Sequence, residues 1–323
     1  HLDLPLGAHP DGYDVWRSQD LFIQESSAGA PPDTVFTSGQ DWGFPPLNPE
    51  KLRQQGYSYY IACLQHHLKH AGILRIDHIM GLHRLFCIPK GMNASQGVYV
   101  RYPAEELYAI LSLESHRNKA IIVGEDLGTV PPEVRPAMSR HRLYRMYVAQ
   151  YELAPDPERA LRAVPANAVA SLNTHDTPPF AAFWQGLDIP NRHKLGLLRE
   201  ADAKQEKEYR EALKQALVSF LQRKGWLVEP SVSQQALLKA ILSFLSASPA
   251  RVVLINLEDL WQEEQPQNIP GTSEDAPNWR RKACYASEEF CQLPQVVDML
   301  REINQIRRGE TVPNELMKKP VQY

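Results

Sequence analysis

The sequence predicts an α/β fold built on a parallel sheet. Three observations support this. Short apolar runs recur near residues 3, 75, 122, 146, 170 and 253. Helical patterns separate most of them, which is the signature of parallel strands joined by crossover helices. Three of the runs end in a carboxylate: Asp77, Glu125 and Asp176. Parallel strands present their C-terminal ends on one side, and in a (β/α)8 barrel that side is the active face. The predicted class is therefore α/β of the (β/α)8 TIM-barrel type, with six strands legible.

Composition sets the bounds. The chain has 323 residues, 43% of them hydrophobic and 23% charged, as in an ordinary water-soluble globular protein. Residues 1–323 read as a single barrel domain. A net charge of −3 argues against nucleic acid or an anionic membrane as partner. No apolar run approaches a membrane span. The four cysteines (Cys63, Cys87, Cys284 and Cys291) lack C-x-x-C spacing, which disfavours a zinc site or disulfide framework. Reduced cysteines lead us to expect a cytoplasmic location. The chain opens on Leu2-Asp3-Leu4-Pro5-Leu6 without a Met, a strand with no run-up, and this suggests a fragment.

Residues 24–48 are rich in Ser, Gly, Pro and Asp and read as a long loop of functional character. Trp42 and Phe44 lie on it. They either stack on a flat ligand or anchor the loop to the body. Asn48-Pro49-Glu50 is a helix start, with Asn as cap, Pro at the first helical position and an acid in the first turn. Tyr57, Tyr60, Ile61, Leu64 and Leu68 follow as one apolar stripe. His66 and His70 are four apart, but the Glu of H-E-x-x-H is missing, so a solvated histidine face is favoured over a metal site. After Ile73–Ile76 comes an irregular segment with Gly81, Pro89, Gly91 and Gly97. Pro103 opens the next helix, with Leu107, Ile110 and Leu111 inward. Ala120–Gly124 is an apolar strand, Pro131 starts a short helix, and Leu143–Val148 is a more ambiguous strand. Ala168–Leu172 ends in Asn173-Thr174-His175-Asp176. Residues 192–246 read as a helical insertion whose charges form a solvated face. Val252–Ile255 is the last strand, and 287–308 a closing helix.

The stretch Gly72–Gly81 carries the strongest chemical signal. Strand residues two apart share a face, so Arg75 and Asp77 point the same way. The cation favours an ionised Asp77. A structural ion pair at a strand end would explain this stretch alone. Three acids at strand ends, with Arg75 and His175, are harder to explain as stability, because like charges repel. Paired carboxylates at such a rim suit glycosidic-bond chemistry.

These residues resemble a known family. Arg75-Ile76-Asp77-His78, Gly124-Glu125-Asp126-Leu127-Gly128 and Thr174-His175-Asp176 are similar to motifs of the 4-alpha-glucanotransferases (amylomaltases, glycoside hydrolase family 77, alpha-amylase clan). Supporting matches are Asp3-Leu4-Pro5, Ala28–Asp33, Gly39-Gln40-Asp41-Trp42-Gly43, and Asn268-Ile269-Pro270-Gly271 with Asn278-Trp279. The resemblance implies Asp77 as nucleophile, Glu125 as general acid/base, and Asp176 as binder of sugar hydroxyls with His175 beside it. It implies that Arg75 orients Asp77, that Asp3 lies near the donor sugar, and that Trp42 and Asn268 line the acceptor side. It implies a maltooligosaccharide or alpha-glucan substrate, no organic cofactor and no required metal. For a retaining mechanism the Asp77 and Glu125 carboxyls should lie roughly 5–5.5 Å apart.

Two departures accompany the resemblance. Asp3 matches a position on the third family strand, which implies a barrel incomplete at its N-terminus. Thr34-Val35-Phe36 stands where many members carry adjacent aromatics, which weighs against a second glucan site on that loop. An alpha-glucan hydrolase and a non-catalytic glucan-binding fragment are the alternatives to a transferase.

Overall fold

The computed structural model describes residues 1–32, 38–228, 232–272 and 275–310. The expectation concerning Thr34-Val35-Phe36 lies outside the described residues. Contacts divide the chain into two compact units, His1–Met146 and Tyr147–Tyr323.

The first unit is built on parallel strands β1 (Leu2–Leu4), β4 (Ile73–Ile76), β7 (Ile121–Gly124) and β8 (Tyr144–Val148, which runs across the boundary). They are hydrogen-bonded in that order. In the register Asp3 pairs with Arg75, Arg75 with Val123 and Ile76 with Gly124. Asp77 and Glu125 therefore follow directly on the ends of neighbouring strands. Around the sheet, Leu64, Leu68, Leu74, Ile79, Tyr108, Leu111 and Met138 form one buried core. Gly124 is needed for that core to close. A Cβ there would sit 2.8 Å from both Ile79 Cγ1 and Met138 Cε, closer than packed carbons approach.

A second, antiparallel sheet also belongs to this unit. It has the order β3 (Gln40–Asp41), β2 (Ser26–Ala30), β5 (Arg84–Pro89) and β6 (Val98–Arg101). The composition of 24–48 predicts a loop, and the segment with Gly81, Pro89, Gly91 and Gly97 an irregular stretch. Both contain strands. The pairing that joins the two halves of this sheet is distant in sequence, Gly29 with Phe86, while Ala30 pairs with Gln40 and Cys87 with Val98 across short connections. The helix opened by Asn48 is also shorter than the pattern suggests. Asn48 accepts from the N–H groups of Glu50 (3.0 Å) and Lys51 (3.1 Å), but the helix stops at Gln54. Left-handed Gly56 and Tyr57 break it, and Ser58–Leu68 is a separate helix.

The second unit holds parallel strands β9 (Ala168–Ser171) and β10 (Val252–Leu254). Helices Glu200–Arg223 and Gln234–Ser246 bury Leu217, Leu221, Leu237, Leu238 and Leu245 in its core. Among the described residues the expected solvated face has one buried charge. Arg210 is buried, paired with Asp188 at 3.0 Å and lying over the Phe183 ring. The closing helix is divided into Ser287–Phe290 and Pro294–Arg307. Among the described residues no helix is long and apolar enough to cross a membrane.

Candidate active site

In the first unit the strand ends bring Asp3, Arg75, Asp77 and Glu125 together. Arg75 is buried on β4, and its Nη1 donates to Asp3 Oδ1 (2.8 Å) and Oδ2 (2.7 Å). The same nitrogen is 2.9 Å from Asp77 Oδ1. Burial alone would disfavour the cation. The carboxylates of Asp77 and Asp3 more than offset this and raise the Arg75 pKa. Asp77 is held by its backbone as well, its N–H donating to Leu4 O at 3.1 Å.

Glu125 is clamped on both oxygens by backbone. Leu127 N–H donates to Oε1 at 2.8 Å and His78 N–H to Oε2 at 2.9 Å. His78 makes the second bond from left-handed φ 44°, a region that His enters more readily than most residues other than Gly. Burial pushes the Glu125 carboxyl up to about 7. The Leu127 N–H opposes the rise, Asp77 adds to it, and Arg75 and the His78 N–H oppose it. Burial likewise draws the His78 imidazole down to about 4.

Replacing Arg75 by Met should therefore act twice. Two carboxylates lose their cation, and both are more than a third exposed, so solvent screening limits the loss of stability to about 1–3 kcal/mol. Glu125 loses a group that lowers its pKa, so its titration moves upward. Urea unfolding and a pH titration of Glu125 would check these effects. An unchanged Glu125 titration would show that the cation does not act on it.

Trp42 lies beside this group. Its indole packs edge-on against the His78 ring at 5.3 Å and stacks with Phe44 at 6.2 Å. Phe44 takes the anchoring role, because its ring fills the space over Gly7, where a Cβ would sit 2.1 Å from Phe44 Cδ2. Trp42 remains half-exposed, which leaves it available to a ligand.

In the second unit His175, Asp176 and Asn268 come together. Asp176 Oδ1 accepts from Asn268 Nδ2 at 2.7 Å, and Oδ2 lies 3.2 Å from His175 Nε2. Thr174 and Thr177 close the turn that carries them: Thr177 Oγ1 accepts from Thr174 N–H (2.9 Å), and Thr174 Oγ1 accepts from Asp176 N–H (3.2 Å).

Two buried acids to which sequence pattern assigns no role shape these loops. Asp126 Oδ2 accepts from Arg135 Nε (2.9 Å) and Arg145 Nε (2.8 Å), and Oδ1 accepts from Met146 N–H (3.0 Å). It thereby fixes the chain after Glu125. Asp259 accepts from Asn173 Nδ2 (2.7 Å) and Phe180 N–H (2.8 Å), pinning both ends of the loop that carries Asp176. Burial pushes the Asp259 carboxyl up to about 6. The only signal for Asp259 in the sequence was an acid just after an apolar strand, the pattern already seen at Glu125-Asp126. The His66 and His70 rings lie 6.2 Å from each other, and no cluster of three or more metal-ligating side chains occurs among the described residues.

The family model for 4-alpha-glucanotransferase matches residues 1–286. The chain belongs to this family. It is 38% identical over 288 residues to a 4-alpha-glucanotransferase of Haemophilus influenzae, covering 87% of this chain and 41% of that protein. It is 40% identical over 286 residues to one from Mycobacterium tuberculosis, covering 86% of this chain and 39% of that protein. The chain thus spans about two-fifths of the length of these relatives. Among solved structures, the amylomaltase of Corynebacterium glutamicum superposes with a TM-score of 0.78 at 27% identity, over 97% of this chain and 46% of that one. An amylomaltase from Streptococcus agalactiae in complex with acarbose gives 0.74 at 20% identity, over 95% and 57%. At that identity the second likeness speaks for the fold alone. The 4-alpha-glucanotransferase family membership and the shared fold agree with the α/β, (β/α)8-barrel class read from the strand pattern.

Proposed function

We propose that this chain carries the catalytic carboxylates of a retaining 4-alpha-glucanotransferase, acting on maltooligosaccharides or alpha-glucans. One observation carries the reading. Two acids on neighbouring strand ends are held in opposite ways, Asp77 ion-paired to a buried arginine and Glu125 raised to about 7 by burial. Divergent environments for paired carboxylates assign one as nucleophile and the other as acid.

In this scheme Asp77 attacks the anomeric carbon while Glu125 gives its proton to the departing glycosidic oxygen. A covalent glucosyl-enzyme results, and the leaving chain departs with a free 4-OH. Glu125, now ionised, takes the proton from the 4-OH of an acceptor glucan. That oxygen attacks the anomeric carbon, and Asp77 is released. Arg75 orients Asp77 through its 2.9 Å contact with Asp77 Oδ1. Asp3 sits beside it toward the donor sugar. Asp176, steadied by Asn268 and His175, takes sugar hydroxyls and stabilises the oxocarbenium-like transition state. Trp42 offers an aromatic surface on the acceptor side. No cofactor or metal enters the scheme.

Incubation with maltotriose, with products resolved by chain length, tests the proposal. Longer maltooligosaccharides together with glucose are expected. Glucose and maltose without longer products would replace transfer by hydrolysis.

A further inference from the structure

The scheme above leaves Trp279 unused. The residue is 63% exposed, an unusual state for the largest apolar residue in a folded chain. It is nonetheless held in place. Its φ of 59° lies in the left-handed region, where a bulky residue is a true outlier of the kind that clusters at ligand clamps. Its N–H donates to Gln267 O at 2.9 Å. The preceding Asn278 closes the same loop, accepting from Ile269 N–H (3.0 Å) and donating to Thr272 Oγ1 (2.9 Å). That closure has two results. Asn268 reaches Asp176 at 2.7 Å, and the Trp279 ring comes 5.2 Å from the His175 ring, tilted by 55°. One loop thus delivers a hydrogen-bonding amide to the acid and an exposed aromatic surface to the histidine beside it. Burial in the core does not account for this placement, since most of the ring faces solvent. A pyranose ring has a face of C–H groups that packs on an aromatic surface, while its hydroxyls reach neighbouring polar groups.

We propose that Trp279 is a substrate-binding residue whose indole face stacks on a glucose ring of an alpha-glucan engaged by Asp176. This inference rests on the transferase reading for its choice of sugar. Trp279 touches substrate without taking part in proton transfer or bond formation, so its contribution falls on affinity.

The test is calorimetric titration with maltotriose in an Asp77→Asn background, which removes turnover. Trp279→Ala and Trp279→Leu should weaken binding about tenfold, while Trp279→Phe, which keeps an aromatic face, should stay within about twofold of the Trp279 chain. Thermal melting of each variant separates loss of contact from loss of fold, and Trp279→Leu keeps most of the apolar bulk. Equal affinity in Trp279→Leu and the Trp279 chain would overturn the inference. In the active chain, Trp279→Leu should raise KM with kcat little changed. A maltooligosaccharide ladder whose KM ignores Trp279 would leave the transferase reading standing and remove the inference. Trp279-dependent binding without any ladder would do the reverse.

Discussion

Asp77→Asn should lower the rate of glucan transfer by a factor on the order of 10⁴ or more, because an amide cannot form and release the glucosyl ester. The substitution is nearly isosteric, and Arg75 keeps both of its bonds to Asp3, so the fold should survive. A second effect reports on the site independently of turnover. Asp77 is among the charges that raise Glu125. Its neutralisation should move the Glu125 titration downward from about 7, as read by carboxyl carbon NMR. Maltotriose product analysis and that titration form a pair. Retained transfer would remove Asp77 from the role of nucleophile, and an unmoved Glu125 would show that the two carboxyls do not interact.

Glu125→Gln should be inactive toward maltotriose and more stable at alkaline pH. General acid–base catalysis contributes roughly 10²–10⁴ in rate, and both steps of the scheme use the same group. A donor with fluoride as leaving group needs no acid, so the first step should return in Glu125→Gln. The second step should not, and the glucosyl-enzyme should accumulate to a mass detectable on the intact chain. The stability effect has a definite sign. The Glu125 pKa is raised on folding, so its contribution is fully present below its ordinary value of 4.5 and is lost as pH rises through about 7. The interval corresponds to about 3 kcal/mol. Gln does not titrate. Relative to the parent, Glu125→Gln should therefore gain up to about 3 kcal/mol between pH 4 and pH 8, measurable by urea unfolding at both. A gain that does not vary with pH would mean that Glu125 titrates near its ordinary value in the folded chain. In the active chain the same pKa predicts transfer that falls as pH rises above about 7, since the acid must enter the first step protonated.

Much of this chain was legible before folding. Arg75, Asp77 and Glu125 sit at the ends of short apolar strands, and strand periodicity alone put Arg75 and Asp77 on one face. The Asn48 cap and the Leu64 and Leu68 stripe could also be read, because caps and helical stripes depend on neighbours within a few residues. The same pattern marked His175 and Asp176 at the end of the Ala168–Leu172 run, while the family motifs added Asp3 and Asn268, whose positions carry no local signal of their own.

What the tertiary structure decided depends on partners distant in sequence. The four-stranded antiparallel sheet is joined across its middle because residues near 28 and 87 meet. Phe44 became the anchor rather than a platform because Gly7 left room for its ring. The rise of Glu125 to about 7 comes from desolvation and from charges on a neighbouring strand, neither of which a linear sequence displays. Asp126 stands next to the strand-end acid Glu125, and Asp259 lies in the short helix Leu257–Leu260 that follows β10. Folding buries both and spends their oxygens on backbone and side-chain donors, which turns them from candidates for chemistry into supports for the loops that carry Glu125 and Asp176. Residue type and local spacing thus determined which groups could do chemistry. Burial and long-range contact decided which of them are held for it.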